Sequence, residues 1–195
     1  MVPATPLATL ILDRDYKRGV EVGVWVAHSS RLILGLPPVE KLYMVDAWKV
    51  YKKCVGPQRG LDAMYDFVCS VTERFGKRAE ILRMFSVDAA KVVPKDLDFV
   101  FLDASHDYES VKEDIEAWRD HVAPGGVLSG DDYDLYPVAH SMEVHKVVDE
   151  LFGDRVKFIP FAGGKQDYPH GTISPDMVTG FPRRFWYVEY KDLRR

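Results

Sequence analysis

The chain has 195 residues, of which 47% are hydrophobic and 29% charged, and its formal net charge is −4. This length suits one domain with a substantial core, and the composition excludes a disordered or fibrous protein. The negative charge argues against a nucleic-acid partner, and no apolar run approaches the roughly 20 residues that span a bilayer.

The first half of the chain alternates predicted helices and strands. Thr5 and Pro6 predict a helix start, with the threonine as N-cap. A strand over residues 19–26 ends in a glycine turn, and a short helix opens at Ser29. A second strand covers residues 41–48, and apolar residues at 61, 64, 68, 71 and 75 predict a helix that Gly76 closes.

The second half continues the alternation. Strands are predicted at 79–86 and 97–104, followed by a helix with apolar positions 108, 111, 115, 118 and 122. The sequence PGG at 124–126 predicts the end of that element, before a fifth strand at 126–133. A helix at 143–152 and strands at 155–161 and 184–190 close the chain. Residues 161–182 are predicted to form a substrate loop or lid.

These elements predict an α/β fold with a single doubly wound, mostly parallel sheet over residues 1–195. The first five strands are continuous apolar runs, which is typical of strands covered on both faces. Ligands of such sheets bind beyond the carboxyl ends of the strands. The residues at or just after these ends are mostly polar. In the order of the five strands they are Glu21, Gly23, His28 and Ser29; Asp46 and Trp48; Ser86 and Asp88; Asp103 and His106; and Asp131 and Asp132.

The first glycine turn favours a nucleoside over a dinucleotide. Gly23 allows a ligand to approach the backbone closely, but Trp25 stands where a pyrophosphate site needs a second glycine. Asp46 lies about where an acid hydrogen-bonds ribose hydroxyls in such folds. A nicotinamide or flavin cofactor is therefore disfavoured, and a nucleoside without a pyrophosphate is favoured.

Five motifs resemble those of class I S-adenosylmethionine-dependent methyltransferases: EVGVWVAHSS, YMVDAW, FSVDAA, LDFVFLDASHDYESVKEDIEAW and PGGVLSGDDY. The resemblance covers residues 19–152 and is strongest to the small-domain branch that includes macrocin-type sugar O-methyltransferases. One departure is Ala27, where the family usually has a second glycine. The resemblance implies a Rossmann-like methyltransferase fold with an antiparallel C-terminal strand, and S-adenosylmethionine as cofactor.

The resemblance also implies roles for residues of the cofactor site. Glu21 and Gly23 would lie along the methionine part of the cofactor, with Ser29 near its carboxylate. Asp46 would hold the ribose hydroxyls, and Trp48 would form a wall beside the adenine. In addition, Ser86 would contact the adenine edge, and Asp103 would lie beside the cofactor.

Three carboxylates predict a metal site. Asp103 follows the fourth strand, and Asp131 and Asp132 follow the fifth, so their side chains should converge if these strands are neighbours. Carboxylates held close together are unfavourable unless a cation lies among them, and oxygen ligands suit Mg²⁺ or another hard divalent cation such as Ca²⁺. In the macrocin-type relatives, acids at these positions bind a divalent metal.

The resulting hypothesis is metal-assisted O-methylation of a small molecule such as a sugar. A cation would lower the pKa of an acceptor hydroxyl, and Asp103 or His106 would take its proton. His145 and Lys146 are alternative bases, and His121, His140 and His170 are given no role.

Two other functions stay open. One is a nucleotide-dependent oxidoreductase on the same kind of sheet, and the other is a cofactor-binding module that has lost its activity, which would suit Ala27. We expect a cytoplasmic protein, because Cys54 and Cys69 lack redox or metal spacing and the N-terminus lacks the basic start of a signal peptide. The net charge and the lack of a long apolar run predict neither a nucleic-acid nor a membrane partner. A homodimer is compatible with the composition.

Overall fold

The computed structural model describes residues 5–50, 57–135, 143–160 and 184–193. In these ranges, seven strands form one sheet in the order β3-β2-β1-β4-β5-β7-β6. The strands are β1 (Arg18–Val22), β2 (Lys41–Asp46), β3 (Ala79–Arg83), β4 (Leu97–Leu102), β5 (Val122–Gly130), β6 (Lys157–Pro160) and β7 (Arg184–Glu189). The helices are α1 (Thr5–Arg14), α2 (His28–Gly35), α3 (Gln58–Thr72), α4 (Ser86–Ala89), α5 (Tyr108–Trp118) and α6 (Val144–Phe152).

The sheet confirms the predicted doubly wound architecture. Strands β1 to β5 pair in parallel, whereas β7 runs antiparallel to both β5 and β6. The chain passes outward from β1 to β2 and β3 and then returns to β4 on the other side of β1. The carboxyl ends of β1 and β4 therefore form the switch point where such sheets bind ligands.

Strand β4 shows why the strands are continuous apolar runs. Val100 and Leu102 pack into the core on one face of the sheet, while Phe99 and Phe101 pack into the core on the other. Since successive side chains of a strand point to opposite faces, a strand covered on both faces has apolar residues at consecutive positions rather than at alternate ones. Helices cover the two faces, and the carboxyl edge of the sheet is left for a ligand.

Strand β5 corrects one sequence prediction. The PGG segment does not end the preceding element, because β5 already begins at Val122 and passes through it. Gly125 has a φ of 88°, and a Cβ on Gly126 would lie 2.5 Å from the carbonyl oxygen of Asp98. The pairing of β5 with β4 shifts register in this region, so the glycines form an irregularity within the strand.

The other element boundaries differ by a few residues. The first three strands end two to four residues earlier than predicted, because the chain turns at the ligand-binding edge of the sheet. Gly76, with a φ of 54°, lies in a 3-10 segment (Glu73–Arg78) that continues α3. The predicted loop at 161–182 lies outside the described residues, as do Cys54, His140 and His170. Among the described helices, none combines the length and apolar character needed to cross a bilayer.

Candidate functional site

A cavity of about 650 Å³ opens at the carboxyl edge of the sheet. Such a volume suits a cofactor-sized ligand. The ends of β1, β2, β3 and β4 and the start of α5 all contribute to its walls. Its lining includes the predicted site residues Gly23, Asp46, Trp48, Ser86, Asp103 and His106, together with Trp25, Lys49, Phe85, Val87, Glu113 and Asp114.

Gly23 joins the strand ends at the switch point. Its amide donates a hydrogen bond to the Val45 carbonyl oxygen at 2.9 Å, and the Asp103 amide donates to the Val22 carbonyl oxygen at 2.8 Å. Gly23 has a φ of 97°, and a Cβ there would lie 2.1 Å from the carbonyl oxygen of Asp103. Only glycine fits between β1 and β4 in this conformation, so the cavity floor here is bare backbone.

Asp46 shapes the turn that follows β1. Its Oδ2 accepts hydrogen bonds from the amides of Val24 at 3.1 Å and Trp25 at 2.9 Å, and its Oδ1 accepts one from the Trp48 amide at 2.9 Å. A carboxylate has about four acceptor sites, so a ligand hydroxyl can still be accommodated. Asp46 thus lines the cavity and also holds the turn in place, and its contact with a ribose stays a prediction.

Two tryptophans and an alanine in the turns have left-handed backbone conformations. Trp25, Ala27 and Trp48 have φ values of 52°, 58° and 38°. Ala27 is the N-cap of α2 and has the backbone conformation that glycine favours, so the turn forms without the second glycine. The Trp48 indole is buried, with Nε1 donating to the Trp25 carbonyl oxygen at 2.9 Å, whereas Trp25 is 54% exposed at the cavity wall.

Glu21 and Ser29 are buried and are not among the cavity-lining residues. The Glu21 carboxyl accepts a hydrogen bond from the Ser30 hydroxyl. Burial raises the pKa of Glu21 well above its ordinary value, and the hydrogen bond from Ser30 opposes this only in part. Contact of Glu21 and Ser29 with the methionine part of a cofactor stays a prediction.

Asp103, His106 and Asp132 form a cluster at one side of the cavity. Each offers one ligand atom, and these atoms all lie within 4.8 Å of one another. The Nε2 of His106 lies 2.8 Å from Asp132 Oδ2 and 3.9 Å from Asp103 Oδ1. Burial alone would lower the pKa of His106, but the two carboxylates raise it to about 10. Without a bound cation, His106 is therefore an imidazolium at neutral pH.

Asp131 was predicted as a metal ligand together with Asp103 and Asp132, but it is not a member of this group of three. Its side chain is buried and lines a much smaller pocket, to which Asp103 and His106 also contribute. The following residue, Asp132, has a φ of 59°, so the chain turns sharply there. The group therefore contains His106 beside the predicted Asp103 and Asp132, and the role of Asp131 as a metal ligand stays a prediction.

A second polar group of the cavity was missed by sequence analysis. Asp114, on α5, lines the cavity although it is only 8% exposed, and its carboxyl hydrogen-bonds the Ser86 hydroxyl. Burial raises the pKa of Asp114 to about 6, and the Ser86 hydrogen bond opposes this shift. The signal was available, because Asp114 lies between Val111 and Ile115 on the apolar face of the predicted helix.

The remaining predicted bases do not line the cavity. Lys146 pairs with Glu143 at 2.6 Å on the protein surface, and the ring of His145 contacts that of Tyr133 edge-on. His121 is buried against Trp118, with Nδ1 3.3 Å from the Pro94 carbonyl oxygen. Among the described histidines, which are His28, His106, His121 and His145, only His106 lines the cavity.

Residues 19–133 match a family model described as a methyltransferase domain. No curated protein sequence matches the chain. The fold is similar to the O-methyltransferase from Bacillus cereus in complex with SAH, with a TM-score of 0.63, 16% identity and coverage of 94% of this chain and 78% of that one. It is also similar to the O-methyltransferase TomG from Streptomyces achromogenes, involved in tomaymycin synthesis and solved with SAM, with a TM-score of 0.64, 18% identity and coverage of 94% and 78%.

A third similar structure is named for a different activity. Spermidine synthase from Thermotoga maritima has a TM-score of 0.61 and 16% identity, and the match covers 94% of this chain. The chain spans only 57% of the length of that protein. At these identities, the structural similarity establishes the fold and leaves the acceptor open.

Proposed function

Because the chain belongs to the methyltransferase-domain family, we propose that it transfers a methyl group from S-adenosylmethionine to a hydroxyl of a small molecule, such as a sugar, with assistance from a divalent cation. One observation carries this proposal. The cavity at the switch point is lined both by the bare backbone of Gly23 and by two members of the cluster of Asp103, His106 and Asp132. A cofactor and a cation site would then be neighbours.

The cavity residues suit an adenosyl cofactor. Gly23 lets a ligand lie against the backbone, and Asp46 offers a carboxylate to ribose hydroxyls. The sulfonium of S-adenosylmethionine is a cation, and carboxylates around the cavity favour a positive charge electrostatically. The motif resemblance to macrocin-type sugar O-methyltransferases supports a sugar as one candidate acceptor.

The cluster fits a divalent cation. Two carboxylates and one imidazole combine ligands that suit Mg²⁺ or Mn²⁺ with a nitrogen that favours the transition metal of the two. The sequence interpretation was based on oxygen ligands alone, and His106 shifts the preference towards Mn²⁺. When bound, the cation would lower the pKa of a coordinated hydroxyl.

Asp103 is the better proton acceptor of the two predicted bases. When a cation is bound, the Nε2 of His106 is one of its ligands, so the lone pair of this nitrogen cannot take a proton. Asp103 follows β4 at the switch point, directly beside Gly23. Asp103 would offer one carboxylate oxygen to the cation, which leaves the other oxygen for the proton of the acceptor hydroxyl. We therefore assign proton acceptance to Asp103 and cation binding to His106.

Two structural features weigh against the alternative functions. Trp25 places a bulky, half-exposed indole where a pyrophosphate would need glycine, which argues against an oxidoreductase with a dinucleotide cofactor. Ala27 adopts the left-handed conformation of the turn, so its presence is not a reason to infer a lost activity.

The test separates the cation site from the cofactor site. Calorimetry would measure binding of Mn²⁺, Mg²⁺ and S-adenosylhomocysteine to the wild type, to Asp132→Asn and to the matched control Asp131→Asn. We expect Asp132→Asn to weaken cation binding by at least about tenfold and to abolish methyl transfer, while binding of S-adenosylhomocysteine is retained. Asp131→Asn should retain cation binding, since Asp131 lies outside the cluster.

Two results would count against this assignment. If the wild type binds neither cation, the metal-assisted mechanism is wrong. If Asp131→Asn loses as much cation affinity as Asp132→Asn, the ligands are the three carboxylates of the sequence interpretation rather than the cluster with His106.

A further inference from the structure

Strand β7 holds the turn that carries Asp132. This turn covers residues 131–134 and follows β5 directly. The buried indole of Trp186 donates a hydrogen bond from Nε1 to the carbonyl oxygen of the first residue of the turn, at 3.2 Å. Two residues earlier, and therefore on the same face of β7, Arg184 binds the carboxylate of Asp134 at the other end of the turn. The strand thus anchors the turn on both sides of Asp132.

The contact between Arg184 and Asp134 fixes direction as well as charge. The guanidinium donates to Oδ1 at 2.7 Å and, from Nε, to Oδ2 at 3.1 Å, while the Arg184 amide donates to Oδ2 at 2.8 Å. The Cζ of Arg184 also lies 4.2 Å from the centroid of the Phe158 ring and 5.3 Å from that of the Tyr133 ring. A planar fork bound to a carboxylate and stacked on aromatic rings has one favoured orientation.

A further contact ties the turn to α6. The Tyr133 hydroxyl donates to Asp149 Oδ1 at 2.6 Å, and the Tyr133 ring packs edge-on against Phe158 with centroids 4.8 Å apart. A left-handed residue other than glycine is held in that conformation by its surroundings. These anchors surround Asp132, which has a φ of 59° and whose Oδ2 lies 2.8 Å from His106 Nε2. The direction of the Asp132 carboxylate therefore depends on contacts that its neighbours make.

We propose that Arg184 is a positioning residue of the cation site: by binding Asp134, it holds the left-handed turn in which Asp132 offers its carboxylate to a divalent cation. This inference rests on the proposed metal-assisted function. Arg184 is not a member of the cluster, so it acts through the backbone of the turn.

The charge of Arg184 and its positioning role predict opposite effects. Arg184→Met removes a positive charge and leaves Asp134 negative, so electrostatics alone would strengthen cation binding. Loss of the guanidinium fork instead releases the turn and allows the Asp132 carboxylate to leave the cluster. We therefore expect Arg184→Met to weaken Mn²⁺ binding by at least about tenfold, as is usual for residues that orient a metal ligand. Binding of S-adenosylhomocysteine should be unchanged.

The experiment measures the two affinities separately. Electron paramagnetic resonance of free Mn²⁺ gives the cation affinity, and calorimetry gives the affinity for S-adenosylhomocysteine. The matched control is Lys157→Met, which removes a positive charge from the neighbouring strand β6, where Lys157 pairs with Glu189 at 2.9 Å. This control should leave both affinities unchanged.

Two further variants test whether Arg184 acts through Asp132. In an Asp132→Ala background, Arg184→Met should cause no additional loss of Mn²⁺ affinity, because the ligand that it positions is already absent. If Arg184→Met alone does not fold, the double variant Arg184→Met/Asp134→Asn removes the ion pair without leaving an unpaired carboxylate. Its net charge equals that of the wild type, and it should show the same weakening.

The outcomes distinguish this inference from the proposed function. If Arg184→Met, or the double variant in its place, binds Mn²⁺ at least as tightly as the wild type, the inference is wrong while the cation site stands. The same holds if Lys157→Met loses as much affinity, if S-adenosylhomocysteine binding falls in parallel, or if the loss is equally large in the Asp132→Ala background. If the wild type does not bind Mn²⁺, both the inference and the metal-assisted function are overturned.

Discussion

At the scale of single residues, Asp114 combines a buried position with a group that titrates near physiological pH. Burial raises its pKa to about 6, against an ordinary value of 3.8, and the Ser86 hydrogen bond only partly compensates. The unfolded chain therefore releases this proton at a lower pH than the folded chain. The contribution of Asp114 to the free energy of unfolding is therefore fully present below about pH 4 and is lost as the pH rises through about 6.

The substitution Asp114→Asn should remove this dependence. Below pH 4, the free energy of unfolding of the variant should resemble that of the wild type, because both side chains are neutral. Between pH 4 and 7, the variant should become more stable than the wild type by up to about 3 kcal/mol, which corresponds to a shift of about two pKa units. Urea denaturation across this range measures the difference, and parallel pH profiles for the two proteins would contradict the prediction.

The adjacent residues Asp131 and Asp132 have different surroundings. Asp131 is buried while Asp132 faces His106, and the left-handed backbone of Asp132 accompanies this change of direction. The motif GDDY identifies both acids as candidates, but side-chain direction after the end of a strand depends on backbone angles that the motif does not specify. Their chemical roles stay predictions until the variants are measured.

At the scale of elements, α5 carries much of the site. It begins immediately after the His106 loop, presents Asp114 to the cavity and ends at Trp118. Its N-cap is Asp107, whose Oδ1 accepts a hydrogen bond from the Ser110 amide at 3.2 Å. This bond satisfies one of the amides that have no partner within the helix, and a negative charge suits the positive end of the helix dipole.

Loss of this cap should destabilise the protein without removing a cavity residue. Asp107→Ala should lower the free energy of unfolding by about 1 kcal/mol, and Asp107→Asn should change it by only a few tenths, since asparagine is an equally good N-cap. Urea denaturation of both variants is the measurement. An equal loss in the two variants would show that Asp107 acts through its charge rather than as a cap.

Strand β5 shows where element prediction failed. Proline and two glycines usually interrupt a strand, but the partner strand β4 holds this segment in the sheet despite the register shift. The close approach of Gly126 to the Asp98 carbonyl leaves no room for a side chain. Such a contact between distant parts of the chain cannot be identified from local sequence patterns.

At the scale of the whole molecule, a cofactor that binds the folded chain alone should stabilise it against unfolding. S-adenosylhomocysteine at 100 times its Kd should add about 2.7 kcal/mol to the free energy of unfolding. This would raise Tm by several degrees for a chain of this size. NADH is the control ligand, and it should leave Tm unchanged, because Trp25 obstructs a pyrophosphate. A shift with NADH and none with S-adenosylhomocysteine would favour the oxidoreductase alternative.

The order of elements, the parallel sheet and the position of the site could be determined from the sequence alone. Continuous apolar strands report burial on both faces, and parallel strands bring their carboxyl ends, with Gly23, Asp46 and Asp103, to one edge of the sheet. Local residue patterns carry this information because it depends on the spacing of apolar residues along each element.

The tertiary structure decided which polar groups meet at that edge. It placed His106 rather than Asp131 with Asp103 and Asp132, and it joined Trp118, Ser86 and Asp114 in one hydrogen-bonded chain. These contacts depend on the left-handed turn at Asp132 and on the packing of α5 against α4. Because hydrogen bonds require donor and acceptor atoms within about 3 Å, they are specified only when the backbone angles and packing of separate elements are known.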